Sequence, residues 1–147
     1  ITELDSVVGI SVAGGAKYVI GALRYAKSLG ALTVGLTCND GCKINEICDI
    51  AVTPDTGAEV VTGSTRMKAG TAHKMILNMI STGVMIKCGR VYENYMIYIK
   101  PVNQKLKRRM VRIVSDILGT DESDAALLLE KHGWDISGVL KEEHGHD

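Results

Sequence analysis

Ser6-Val7-Val8-Gly9-Ile10-Ser11 leads through the loop Val12-Ala13-Gly14-Gly15-Ala16 into Tyr18, Val19, Ile20, Leu23 and Ala26 at helical spacing. The fold turns on this stretch. A short apolar run that ends in small residues reads as a strand, and the 3.6-residue recurrence after it reads as a helix that stops at Gly30. Leu32-Thr33-Val34-Gly35-Leu36-Thr37-Cys38 is a second apolar run, closed by the turn residues Asn39-Asp40-Gly41. Two strands joined by a helix make a parallel βαβ unit. A short helix through Ile44 to Ile47 and a third run, Ile50-Ala51-Val52-Thr53, ended by Pro54, continue the alternation. The pattern predicts an α/β fold whose parallel sheet is covered on both faces.

A longer helix is predicted from Ser64 or Thr65 to Lys87, with Met75, Ile76, Met79, Ile80, Val84 and Met85 as an apolar stripe and Gly89 placed to end it. The stripe is expected in the core. Together with Met96 it is more apolar than one short sheet face needs, so part of it is expected to bury in a homodimer. Tyr95, Ile97 and Ile99 alternate like a strand, and Lys100-Pro101 marks the best boundary because proline biases its predecessor towards extended geometry. After it come a helix over residues 102–118 up to Gly119, a second capped within Thr120-Asp121-Glu122-Ser123 and ending near Gly133, and a third from about Asp135. The expected division is therefore residues 1–100 as an α/β part and 101–147 as a small three-helix appendage. The chain opens on Ile1 rather than Met and reaches a strand within a few residues, so an upstream segment is expected.

Seventeen basic and seventeen acidic residues among 147 leave no net field to recruit nucleic acid or an anionic membrane. An anion site must be local. No apolar run approaches the length of a membrane span and no leader pattern is visible, which reads as a cytoplasmic protein. Cys38, Cys42, Cys48 and Cys88 lack the paired spacing of a zinc site, and read as reduced thiols with no metal or cofactor. The tail His144-Gly145-His146-Asp147 reads as a solvated terminus. Lys100, Lys105, Lys107, Arg108, Arg109 and Arg112 have no interleaved aromatic residues, so they read as a solvated helix face rather than a nucleic-acid surface.

Two places can meet an anion. At Ser11, Ala13, Gly14 and Gly15 a strand gives way to a helix start, where backbone N–H groups lack partners and glycines permit close approach by a phosphate. The loop has neither the GxGxxG nor the Walker ending, and the competing reading is a tight turn with no ligand. The second place is Thr62-Gly63-Ser64-Thr65-Arg66-Met67-Lys68-Ala69-Gly70-Thr71, where Ser64 or Thr65 can cap a helix. Arg66 and Lys68 in its first turn oppose the helix dipole, a conflict that an anion relieves. Otherwise both cations face solvent or pair with Glu59. His73 reads as a packed or surface residue, and Glu59 has no partner carboxylate for acid–base work.

The run Glu59-Val60-Val61-Thr62-Gly63-Ser64-Thr65-Arg66-Met67-Lys68-Ala69-Gly70-Thr71-Ala72 resembles the signature of the N-acetylmuramic acid 6-phosphate etherase family nearly throughout. Residues 18–30, Leu77-Asn78-Met79-Ile80-Ser81-Thr82 and Asn103-Gln104-Lys105-Leu106 extend the match over most of the chain. The resemblance implies a sugar isomerase (SIS) fold, incomplete here at its N-terminal side, a homodimer, and a small phosphorylated sugar bound near Ser11, Ala13, Gly14, Gly15, Ser64, Thr65 and Lys68. It also implies a cofactor-free lyase of cell-wall sugar recycling that releases D-lactate by elimination and water addition. The family's two acidic catalytic residues are expected upstream of Ile1, so no catalytic residue is assigned within the chain. Where the family commonly has Ala-Ser-Gly-Arg-Thr-Pro, this chain has Val12-Ala13-Gly14-Gly15-Ala16-Lys17, and Ser11-Val12-Ala13 is similar to the Ser-Val-Gly of the related glucokinase regulatory protein. A sugar-phosphate-sensing regulator and an aldose–ketose isomerase of the same fold therefore stand as alternatives.

Overall fold

Strands β1 (Ser6–Ile10), β2 (Leu32–Leu36) and β3 (Ile50–Val52) pair in parallel in that order, with Val8 opposite Val34, Ile10 opposite Leu36, and Leu36 opposite Val52. Helices α1 (Lys17–Ser28) and α2 (Lys43–Ile47) make the two crossovers. The computed structural model describes residues 1–145. His146 and Asp147 of the histidine-containing tail lie outside them. The chain forms two compact units, Ile1–Ile80 and a second from Ser81 onward.

Side chains alternate across a strand, and two glycines decide how closely helices approach the first unit's sheet. A Cβ on Gly9 would lie 2.6 Å from Leu23 Cδ1, and one on Gly35 would lie 2.4 Å from Ile44 Cγ2. Both helices thus rest against bare backbone. Leu23, Cys42 and Ile44 form the buried cluster there, with Val7, Val19, Ile20 and Ile47 packed around it. On the opposite face Val8, Ile10, Leu32 and Ile50 remain 38–47% exposed. Cover on both faces was expected: α1 and α2 cover one face along its length, and the other is covered only towards its carboxyl end, where Leu36 is 1% exposed. The reason is topological: successive crossovers of one hand between strands added in one direction lay both helices on the same side.

The amino end of the sheet is fastened by Asp49, whose carboxylate accepts from the Thr33 hydroxyl (2.6 Å) and backbone N–H (2.9 Å) and pairs with Lys27 Nζ at 2.8 Å. The Lys27 ammonium also donates to the Ile47 carbonyl (3.0 Å), so β2, α1 and the end of α2 meet at one point. Thr33 is fully buried.

Helix α3 (Lys68–Lys87) buries only Ala69 and His73. The methionine stripe expected in the core is not core in the single chain: Met75 is 59% and Met79 68% exposed, and Val84 and Met85 are 49% exposed. A 20-residue helix is about 30 Å long, far longer than a strand of five residues or fewer, so the small sheet cannot cover it.

In the second unit β4 (Val91–Tyr92) and β5 (Tyr95–Met96) form an antiparallel hairpin, shorter than the predicted strand. The alternation nonetheless holds: Ile97 and Ile99 are buried and Tyr98 is exposed. Helices α4 (Gln104–Leu118), α5 (Glu122–Lys131) and α6 (Ile136–His144) follow. Asn103 caps α4 through Leu106 N–H, Gly119 ends it in the left-handed conformation, and Asp135 caps α6 through Ser137 N–H. Ile97, Ile99, Met110, Val114, Leu129, Ile136, Val139 and Leu140 share one core with residues of the hairpin. Pro101 falls inside this unit. Among the described residues no helix is long and apolar enough to cross a membrane.

Hydrogen bonds from Lys27 and then from Thr33 hold the Asp49 carboxyl well below its ordinary value of 3.8. The unfolded chain therefore takes up a proton before the folded one does, and this contribution is complete above about pH 5 and is lost as the pH falls through and below the ordinary carboxylate range. In urea titrations Asp49→Asn should be less stable than the wild type at pH 7. The gap should narrow steadily between about pH 5 and pH 2. A gap that is constant across that range would show that the Asp49 charge does not matter.

Candidate functional site

All three parallel strands point their carboxyl ends at one edge, where α/β proteins tend to gather ligands. The loop after β1 is built from backbone bonds. Ser11 N–H donates to the Leu36 carbonyl (3.0 Å), and Gly14 N–H donates to the Ser11 carbonyl (2.9 Å) to close a tight turn. Gly14 has φ +70°, and a Cβ on it would fall 2.0 Å from Cys42 Sγ, so only glycine fits. The loop after β2 holds the turn from the side: Cys38 N–H donates to the Val12 carbonyl (2.8 Å) and the Asn39 amide to the Ala13 carbonyl (3.2 Å).

Beyond the turn, Ala13 and Gly15 are exposed, and nothing lies within 4 Å of where a Gly15 Cβ would be. Helix α1 then starts at Ala16 with no side-chain cap and no acid in its first turn. Its first N–H groups, at the positive end of its dipole, therefore receive no side-chain cap.

The second predicted place differs from expectation in one respect. Helix α3 begins at Lys68, three or four residues later than predicted, and neither Ser64 nor Thr65 is its cap. Glu59 takes that role: its two carboxylate oxygens accept from Lys68 N–H and Ala69 N–H, each at 3.1 Å. A carboxylate that is nine residues from the helix start bonds two otherwise orphaned donors and neutralises the dipole's positive end. Sequence reading could not see it, because capping patterns are sought within three or four residues. Ser64 is half-buried, and Thr65 and Lys68 are exposed.

Both places lie at the carboxyl end of the sheet. The segment from residue 53 to α3 leaves the carboxyl end of β3, and His73, in the second turn of α3, brings Nε2 to 3.3 Å from Cys38 Sγ just after β2. Cys38 in turn bonds the Val12 loop. The loop that carries Ser11, Ala13, Gly14 and Gly15, and the start of α3 with Ser64 and Thr65 just before Lys68, thus lie at the same end of the sheet.

Sequence reading left His73 as a packed or surface residue and Cys38 as one of four reduced thiols. His73 is buried, and its removal from water pushes its pKa below the ordinary histidine value, while the nearby Thr37 carbonyl opposes that shift. Cys38, Asp40, Thr53, Pro54 and Asp55 line an open cavity of about 330 Å³. The two carboxylates reach it from different loops, each fixed by a following backbone N–H, Gly41 for Asp40 and Gly57 for Asp55. In the second unit, Lys105, Arg108, Arg109 and Arg112 line an open depression along α4, with Arg112 3.5 Å from Glu122.

No protein-family model matches the chain. Curated proteins do. It is 52% identical over 136 residues to a protein of Caldanaerobacter subterraneus subsp. tengcongensis, 52% over 140 to one of Bacillus pumilus and 47% over 146 to one of Rhizobium rhizogenes. Each is named N-acetylmuramic acid 6-phosphate etherase, and the matches take in 92%, 95% and 99% of this chain. The chain belongs to the N-acetylmuramic acid 6-phosphate etherase family. It spans 44–48% of the length of these etherases. A crystal structure described as that of a hypothetical protein superposes on 71% of this chain and 59% of its own, with a TM-score of 0.53 at 15% identity. That likeness concerns the fold alone, and agrees with the parallel α/β arrangement that the etherase resemblance implied.

The Glu59 cap sits inside the segment that resembles the etherase signature. Glu59→Ala should free the Lys68 and Ala69 amides and cost about 0.5–2 kcal/mol, the usual range for a lost cap. Hydrogen exchange resolved by residue should show faster exchange at those two amides and little change in β2. Equal protection in both proteins would mean that another group caps α3.

Proposed function

We propose that these residues form the sugar-phosphate-binding part of an etherase that cleaves the D-lactyl ether of N-acetylmuramic acid 6-phosphate. The products are N-acetylglucosamine 6-phosphate and D-lactate, formed by elimination and then addition of water. The observation that carries this reading is the similarity to named etherases along 92–99% of the chain, at 47–52% identity. Its geometry supports a division of roles. Glu59 already occupies the first α3 donors, whereas α1 opens uncapped beside exposed Gly15. The phosphate accordingly sits at the α1 start, on the Gly15 backbone and the Ser11 hydroxyl, while Gly14, whose N–H and carbonyl are taken by Ser11 and Ile44, holds the turn. Ser64, Thr65 and Lys68 approach from the α3 side, to hydroxyls of the sugar or to the outer phosphate oxygens.

Elimination requires a base to remove the proton beside the sugar carbonyl and an acid to protonate the departing lactate oxygen. Glu59 is engaged as a cap and Asp49 is tied to Lys27 and Thr33 at the other end of the sheet. No residue of this stretch is assigned to either step, and the reaction needs acids from the longer protein. One observation favours a second reading, a non-enzymatic sugar-phosphate sensor: the residue 12–17 loop lacks the hydroxyl, arginine and threonine of the common etherase loop. Lactate release from N-acetylmuramic acid 6-phosphate, measured for the 147 residues beside a chain of full etherase length, separates these. Release from the longer chain alone is expected. Binding without release in both would favour the sensor, and equal release from both would direct the search to Asp40 and Asp55, whose carboxylates line one cavity.

The protein is proposed to work in the cytoplasm, without a cofactor, as a homodimer. Exposed Met75, Met79, Val84 and Met85 on α3, with the open apolar sheet face, are the surface that supports assembly. Light scattering of the full-length protein at micromolar concentration should give twice the chain mass. A compact monomer would remove the homodimer from the proposal.

A further inference from the structure

The sugar-phosphate reading leaves one reactive pair unused. Cys38 Sγ and His73 Nε2 are 3.3 Å apart, on elements 35 residues apart in sequence. The imidazole is 6% exposed, whereas Cys38 is half-buried and reaches the open cavity it shares with Asp40 and Asp55. A thiol that has both a base behind it and an opening in front is arranged for nucleophilic attack, unlike a thiol packed in a core. Cys42 supplies the contrast within the same fold: it is buried, and its sulfur faces the Thr37 hydroxyl at 3.7 Å and the backbone of Gly14.

We propose that Cys38 and His73 are a nucleophile–base pair, and that their cavity is a site of covalent modification by small cationic disulfides. In the neutral imidazole one ring nitrogen is an acceptor, and with Nε2 in that role the Cys38 thiol donates to it. Attack on the disulfide forms a new S–S bond from Cys38 Sγ to one sulfur and breaks the original S–S bond. The departing sulfur leaves with the bonding pair and takes the proton that Cys38 passed to His73. Cys38 is oxidised to a mixed disulfide, the leaving half is reduced to a thiol, and no net proton is released. The two carboxylates on the cavity wall set the charge preference, because they attract a cationic disulfide and repel an anionic one.

The test is time-resolved mass mapping of the whole chain treated with cystamine, a dication, or with oxidised glutathione, a net anion. Cys88, which is exposed, serves as the internal reference. In the wild type, Cys38 should favour cystamine over oxidised glutathione at least about fivefold more strongly than Cys88 does. His73→Gln should slow modification of Cys38 at least about tenfold and leave Cys88 unchanged. Asp40→Asn combined with Asp55→Asn should bring the selectivity of Cys38 down to that of Cys88. If Cys38 stays unmodified while Cys88 reacts, or if the wild-type selectivities of the two cysteines agree, the proposal fails, and that comparison needs no variant to fold. A Cys38 rate in folded His73→Gln within twofold of the wild type would remove His73 from the pair.

Discussion

The carboxyl-end geometry depends on the contact of α1 and α2 with bare sheet backbone at Gly9 and Gly35. A methyl group at either position would meet Leu23 or Ile44 at less than 3 Å, so a side chain there would push a helix outward. Such a shift would reach the carboxyl end of the sheet directly, because α1 is joined to β1 by the Ser11–Ala16 loop and α2 directly follows Cys42, which packs on Gly14. Close layer packing therefore fixes both the stability of the unit and the height at which the first turn of α1 stands above the strand ends. Asp49 acts at the far edge, where Lys27 and Thr33 clamp the same helix to the same strand.

The two helix starts at the carboxyl end of the sheet differ in electrostatics. At α3 the protein supplies its own anion: Glu59 occupies two donors, and a phosphate competing for them would have to displace a carboxylate already held by two hydrogen bonds. At α1 no acid or cap is present. The uncapped helix start is less stable by itself than a capped one, and it is also where a dianionic group gains most from the dipole and the free N–H groups. In the proposed etherase site, Arg66 and Lys68 then act as mobile cations around an anchored phosphate and need not form the anchor.

How much of this was legible in the sequence follows from the range of each interaction. The βαβ alternation, the Gly119 stop and the helix starts near residues 102 and 135 depend on neighbours a few residues away, and each was read close to its observed place, although Asn103 and Asp135 were not read as caps. Ile97 and Ile99 also kept their period-two burial although the hydrogen-bonded hairpin is only two residues per strand. Missed features act over longer separations. The Glu59 cap reaches nine residues forward and the Cys38–His73 contact spans 35, and no periodicity records either. The methionine stripe was read correctly as an apolar face, but periodicity says which side is apolar and not what lies against it. Its expected burial failed because a helix of 20 residues, about twice as long as the longest strand of 5, outruns the sheet.

Exposure of that stripe and of the Val8, Ile10, Leu32 and Ile50 face constrains any account of the working protein. At about 25 cal/mol per Å² of apolar surface, covering these residues is favourable, as the proposed homodimer would do. A phosphate pocket built on loops at the edge of a small, half-covered sheet would otherwise be set on its least supported part, with α3 held near its start by Glu59 and His73. Burying the outer face would fix the slope of α3 and with it the positions of Ser64, Thr65 and Lys68, while leaving the α1 start unchanged, since α1 lies on the covered side. In the proposed etherase site, phosphate affinity and sugar orientation would then be physically separable: the first would depend on packing complete within residues 1–52, and the second on contacts that α3 makes along its exposed apolar length.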